Sequence, residues 1–174
     1  MLIGSKTMIE TTIENYRSIG VDEIVVVTGF RAKDIEERLE RQDVKFVKNA
    51  NFTGSHMFDS VCIGLREIAD LVDYIFITPA DSPFVQKFTL KKMLDEITES
   101  KVNFVRPSFE GRNGHPLLVG ERAINTILEH DGKDGLRGVI PKLADNHKII
   151  PVIDPGIVMD ADTIYDYLKL LEFE

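Results

Sequence analysis

The sequence has no tryptophan and a single cysteine, Cys62. A lone thiol closes neither an internal disulfide nor a zinc cage, which fits a reducing cytosol. The four histidines (His56, His115, His130 and His147) show no zinc-ligand spacing. No apolar run approaches the ~18–20 residues of a membrane helix, and the N-terminus lacks a signal-peptide layout. Without a secretory signal, the sequon Asn51-Phe-Thr53 carries little meaning. The nucleotide and hydrolase signatures GxGxxG, GxxxxGK[ST] and GxSxG are missing. Repeats, low-complexity tracts and linkers are missing too. Basic residues number 21 against 29 acidic ones, a net charge of -8 with no offsetting Lys/Arg cluster. That balance argues against nucleic acid held through its phosphates. What is present is 174 residues, 43% hydrophobic and 29% charged. This is the composition of one globular domain with a real core, and the expectation is a cytoplasmic α/β enzyme or binding protein.

Apolar spacing alternates between two kinds of segment. Met8, Ile9, Ile13, Tyr16 and Ile19 predict a helix stopped by Gly20. Glu23 to Thr28 is a β-branched run that predicts a buried strand, and Ala32 to Arg41 a surface helix. Val44–Val47, Tyr74–Ile77, Val102–Val105, Leu117–Val119 and Ile149–Ile153 predict further strands. Helices are expected around Val61–Leu71, Phe88–Ile97, Glu121–Glu129 and Asp134–Ala144. A last helix carries Ile164, Tyr167, Leu168 and Leu171, with Asp162 or Thr163 as its cap. Strands alternating with helices imply a mostly parallel, twisted sheet covered on both faces. Ligands then sit at the carboxyl ends of strands, which directs attention to the segments after Thr28 and Val47, to Thr78–Pro83 and to Asp154–Asp162.

Asp81 stands just past an apolar strand, between Pro79 and Pro83. A carboxylate there suits Mg²⁺, which takes one or two protein carboxylates and leaves the rest to phosphate and water. It equally suits a turn in which the side chain bonds its own backbone. A second acidic group comprises Asp154, Asp160, Asp162 and Asp166. Asp162 reads as a cap and Asp166 as a solvated residue of the first turn, while Asp160 has no obvious structural task. Gly111 to Pro116 is a turn into a strand, either a plain glycine hairpin with an exposed His115 or a substrate loop. Asp131 to Gly135 lacks the alternating ligands of a calcium loop and reads as a turn. His56 reads as a loop residue near a helix start, and Ser55 and Ser60 have no evident base.

Four stretches, in order, resemble the molybdenum-cofactor nucleotidyltransferases, the MobA-like group of small NTP transferases. Gly4 to Glu10 with Ile19 to Gly29 is similar to the family's first helix and second strand. Asn49 to Leu65, with Gly54, Met57, Phe58, Ser60 and Gly64, is similar to its nucleotide-side loop and helix. Ala80-Asp-Ser-Pro83 resembles its "ADQP" metal motif. Gly114-His-Pro116 and Met159-Asp-Ala-Asp-Thr163 resemble its acceptor loop and closing "DIDT" motif. The Gly-His-Pro element favours the cytidylyltransferase side.

The resemblance implies a three-layer α/β/α sandwich related to GT-A nucleotide-sugar enzymes, here as one domain over residues 1–174. It implies transfer of CMP or GMP from CTP or GTP to a molybdopterin-type acceptor, with Mg²⁺ and release of pyrophosphate. Asp81 and Asp160 would hold the metal, and Gly114, His115 and Pro116 would border the acceptor. The family opens with a strand and a loop of the type "LAAGxSxRMG", whereas here Met1-Leu-Ile-Gly4 falls directly before the first helix. Lys6 matches a later lysine, so no phosphate role passes to it. The absent strand lies inside the family's sheet, between the strand after Asp22 and the strand before Asp81. The expectation is therefore an N-terminally truncated domain with two open apolar edges, or edges repaired by self-association. Alternative readings are a non-catalytic cofactor-binding or partner module, and transfer to a sugar phosphate or other alcohol phosphate.

Overall fold

In a computed structural model, which describes residues 2–161 and 167–168, β-branched runs and helical stripes alternate along the chain. The elements in order are β1 (Leu2–Ile3), β2 (Lys6–Thr7), α1 (Met8–Arg17), β3 (Val25–Thr28), α2 (Ala32–Arg38), β4 (Lys45–Lys48) and α3 (Met57–Ile68). They continue with β5 (Tyr74–Ile77), α4 (Lys87–Ser100), β6 (Phe104–Phe109), β7 (Arg112–Asn113), β8 (Leu117–Gly120), α5 (Glu121–Leu128), α6 (Gly135–Val139) and β9 (His147–Pro151). Short 3₁₀ turns occupy Ala69–Leu71, Ile140–Asn146 and Pro155–Val158. The expected final helix over Asp162, Thr163, Ile164, Asp166 and Leu171 lies outside the described residues.

Two compact units emerge. The first gathers Met1–Val21, Phe76–Leu118 and His147–Glu174, and the second Asp22–Ile75 and Val119–Asn146. In the first, β1 and β2 make a small antiparallel hairpin that the periodicity does not reveal. It leads straight into α1, where Thr7 and Glu10 form a reciprocal cap. The Thr7 hydroxyl accepts from Glu10 N at 3.4 Å, and the Glu10 carboxylate accepts from Thr7 N at 2.7 Å. This satisfies two otherwise orphaned donors. The buried face of α1 is Met8, Thr12, Ile13 and Tyr16, and the Tyr16 ring lies 5.2 Å from that of Phe76. Leu90, Met93 and Ile97 of α4 are fully buried, and α4 packs on β6. Each contributes about 1.5–3 kcal/mol of burial.

β6 is central to a five-stranded sheet ordered β5-β8-β6-β7, with β9 also paired to β6. The β6–β9 ladder is parallel, from Phe104 opposite His147 to Ser108 opposite Pro151. In the second unit β3 and β4 pair in parallel, from Val25 opposite Lys45 to Thr28 opposite Lys48. α3 buries Phe58, Cys62, Leu65 and Ile68, and packs on β3. Gly64 permits this approach, because a Cβ there would lie 3.0 Å from the Val27 side chain. The expected α/β architecture with parallel pairing is what forms. The strands are divided among separate sheets, however, and among the described residues β3 pairs with β4 alone while β5 ends its sheet. Val25–Val27 and Ile75–Ile77 accordingly stay half-buried, although such runs are normally buried on both faces.

Candidate active site

The carboxyl end of β5 opens into Thr78–Pro83. Asn15 of α1 holds the far side of this loop, its amide donating to Pro83 O at 2.8 Å and Val85 O at 3.4 Å. Ser82 and Pro83 are buried, and Asp81 is half-buried. Oδ1 of Asp81 is enclosed without a hydrogen-bond partner. The turn reading needs that carboxylate to bond its own backbone, and this oxygen does not. A buried acceptor left unmet costs about 1–3 kcal/mol, so this carboxylate has capacity that a ligand could take up.

His115 lies on the segment that links β7 to β8. Glu110 and Gly111, with φ of 48° and 77°, make the two-residue turn between β6 and β7, the left-handed pair that tight hairpins need. The chain then folds back: Gly114 N donates to Pro107 O at 2.9 Å, and Gly114 O accepts from Arg106 Nε at 3.1 Å. His115 N donates to Ile157 O at 2.8 Å. Gly114 has no room for a side chain, because a Cβ would fall 2.1 Å from Ile157 O. The hairpin expectation therefore holds, but His115 is half-buried rather than exposed, and its Nδ1 has no partner. Burial first, and the Arg106 guanidinium second, hold the imidazole below its ordinary value; Asp160 and Asp81 pull the other way. His115 is thus neutral near pH 7 and within electrostatic reach of both carboxylates.

Asp160 follows the 3₁₀ turn at Pro155–Val158 and is exposed. Three sequence-predicted residues, Asp81, His115 and Asp160, thus converge in the first unit, with Gly114 and buried Pro116 framing the imidazole. Among the described residues no three His, Cys, Asp or Glu side chains form a ready metal cage. Two carboxylates, one with an orphaned oxygen, fit a hard cation that keeps water and phosphate ligands, as Mg²⁺ does. Arg106 escaped sequence reasoning: it sits inside a strand and shows no spacing signal. Asp154, noted in the sequence only as one of an acidic group, is buried, and its place at the head of Asp154-Pro-Gly156 was the available sign of a capping role.

Other motifs resolve as local structure. Asp131 accepts from Lys133 N at 3.0 Å in a turn, and His56 precedes α3 with its N–H bound to Asp59 at 2.7 Å. Asn49 is buried and donates to Ser55 and Ser60 at 2.9 and 3.0 Å, so those hydroxyls serve the loop. Beside it, in the second unit, a cleft of about 320 Å³ is lined by Asn49, Asn51, Ser55, Arg66 and His130 among others.

Comparison with known proteins gives a consistent picture. Residues 1–147 match the family model of the MobA-like NTP transferase domain. A bifunctional protein GlmU from Cellvibrio japonicus is 25% identical over 159 residues, covering 90% of this chain and 32% of that protein. The chain thus spans about a third of the length of the curated relatives it matches. A nucleotidyl transferase from Methanothermobacter superposes with a TM-score of 0.81 at 24% identity, over 99% of this chain and 82% of that one. Rv0371C of Mycobacterium tuberculosis, solved as a complex with manganese, gives 0.73 at 20% identity, over 96% and 87%. Molybdopterin-guanine dinucleotide biosynthesis protein A of Archaeoglobus fulgidus gives 0.66 at 18% identity, over 99% and 88%. These structural likenesses are likenesses of fold. Among the described residues, no helix is long and apolar enough to cross a membrane.

Proposed function

Because the chain belongs to the MobA-like NTP transferase domain family, and is a nucleotidyltransferase by that membership, we propose that it transfers CMP or GMP from CTP or GTP to a molybdopterin-type acceptor in the cytoplasm. The observation that carries the reading is the convergence of Asp81, with its unpartnered buried oxygen, on His115 and Asp160. An oxygen of the acceptor's phosphate forms a bond to the α-phosphorus, the bond from that phosphorus to the bridging β-oxygen breaks, and pyrophosphate leaves. Such transfer needs positioning and charge compensation rather than a covalent protein intermediate. Asp81 and Asp160 would hold Mg²⁺, which neutralises charge on the phosphates. A manganese complex of a structural neighbour supports a divalent ion in this fold.

His115 and its flanking Gly114 and Pro116 border the acceptor. As a neutral imidazole with Nδ1 unpartnered, His115 has hydrogen-bonding capacity left for it. The acceptor class is supported by the Gly114-His-Pro116 element and by the molybdopterin-guanine dinucleotide protein among the neighbours. Calorimetric titration of the 174-residue chain with CTP and with GTP, each with Mg²⁺, tests the reading. Saturable binding that needs the metal is expected. A folded sample that binds neither nucleotide would remove the assignment from this polypeptide.

A further inference from the structure

Asp154 is 1% exposed, yet no part of the proposed chemistry uses it. Its carboxylate is engaged on three sides. Oδ2 accepts from Gln86 N at 2.9 Å and from the Thr89 hydroxyl at 2.6 Å, and Oδ1 accepts from Gly156 N at 3.0 Å. Gln86 is the N-cap of α4 but gives it no side-chain cap, and the first turn of α4 contains no acidic residue. Asp154 therefore supplies, from far along the chain, the carboxylate that the positive end of this helix otherwise lacks. The same side chain caps the 3₁₀ turn Pro155–Val158.

Those contacts lead to all three site residues. Gln86 lies five positions beyond Asp81, on the segment that Asn15 grips from its other side. The 3₁₀ turn is pressed against that segment, since a Cβ on Gly156 would fall 2.1 Å from Phe84 O. Ile157 in the turn accepts the His115 N–H and fills the space above Gly114. Asp160 lies two residues past the turn, after Met159. We infer that Asp154 is a positioning residue that fixes the segments bearing Asp81, His115 and Asp160 in mutual register, and so sets the geometry of the cation site. This rests on the proposed reading of those three residues.

The isosteric variant is informative because all three donors are neutral N–H or O–H groups. An Asn side chain must turn its own NH₂ toward either Gly156 N or Gln86 N, so one donor faces another. Thr89→Val removes a single donor while keeping the shape. The experiment compares parent, Asp154→Asn and Thr89→Val in two ways. Amide hydrogen exchange is followed at His115 and at Val105 in the centre of the sheet, and Mn²⁺ binding is read by the paramagnetic resonance signal of the free ion.

The expected result for Asp154→Asn is exchange about tenfold faster at His115 with Val105 unchanged, and Mn²⁺ affinity lower by about 10–100-fold. Thr89→Val shifts both the same way by less, and carries the test if Asp154→Asn does not fold. Unchanged His115 protection in the folded variants, or an equal loss at Val105, would overturn the assignment. A parent that binds no Mn²⁺ removes the cation reading of the site. The exchange at His115 still decides whether Asp154 holds the segments in register.

Discussion

Asp81 and His115 each carry a buried polar atom without a partner, so substitutions there separate chemistry from stability. Removing the Asp81 carboxylate deletes an unmet acceptor rather than a hydrogen bond made through that atom. Asp81→Ala and Asp160→Ala should each abolish Mg²⁺-dependent CTP or GTP binding in calorimetry, and the melting temperature of Asp81→Ala should not fall below the parent's. His115 makes a pH prediction whose sign follows from its environment. Burial and Arg106 depress the folded-state value below the ordinary 6.5, so as pH falls below that value the unfolded chain takes up the proton first. Stability is therefore flat above this window and declines through it on acidification. Urea unfolding at about pH 7.5 and about pH 5.5 should show a larger loss for the parent than for His115→Asn.

At the scale of elements, α1 and the Gly114 loop depend on single local features. Thr7→Ala removes one half of a reciprocal cap and should cost about 1 kcal/mol in chemical denaturation. Gly114→Ala forces a methyl to within 2.1 Å of a carbonyl oxygen. It should cost about 3 kcal/mol, with nucleotide and metal binding lost in whatever fraction folds. The long elements were legible because their burial writes itself into the sequence: Met8, Ile13 and Tyr16 share one face of α1, and Leu90, Met93 and Ile97 one face of α4. The β1–β2 hairpin and the turn at Pro155–Val158 were not, since two to four residues hold no period. α6 stops at Val139, sooner than the apolar spacing suggested, because Pro141 cannot continue a helix. Asp81, His115 and Asp160 were readable as motif positions. Asp154 was visible as an acidic residue beside its local partner Gly156, but Thr89 and Gln86 lie 65 and 68 positions away, and no local pattern encodes them.

At the scale of the whole molecule, β3 and β5 are among the strands that keep an unpaired edge within the described residues, β3 opposite its contact with β4 and β5 opposite β8. Half-exposed Val25–Val27 is a template for another strand. Sedimentation at rising concentration should reveal a larger species, and Val26→Lys should suppress it; a parent that stays monomeric throughout would mean that the edge is inert. The segment layout of the two units bears on how the protein is made. The second unit has all its residues once Asn146 is synthesised, whereas the first draws on three separate stretches. During translation, which proceeds at about 5–20 residues per second, Asp81 and His115 leave the ribosome well before β9, Asp154 and Asp160. A nascent chain therefore has every residue of its second unit before Asp154 and Asp160 join Asp81 and His115 in the first.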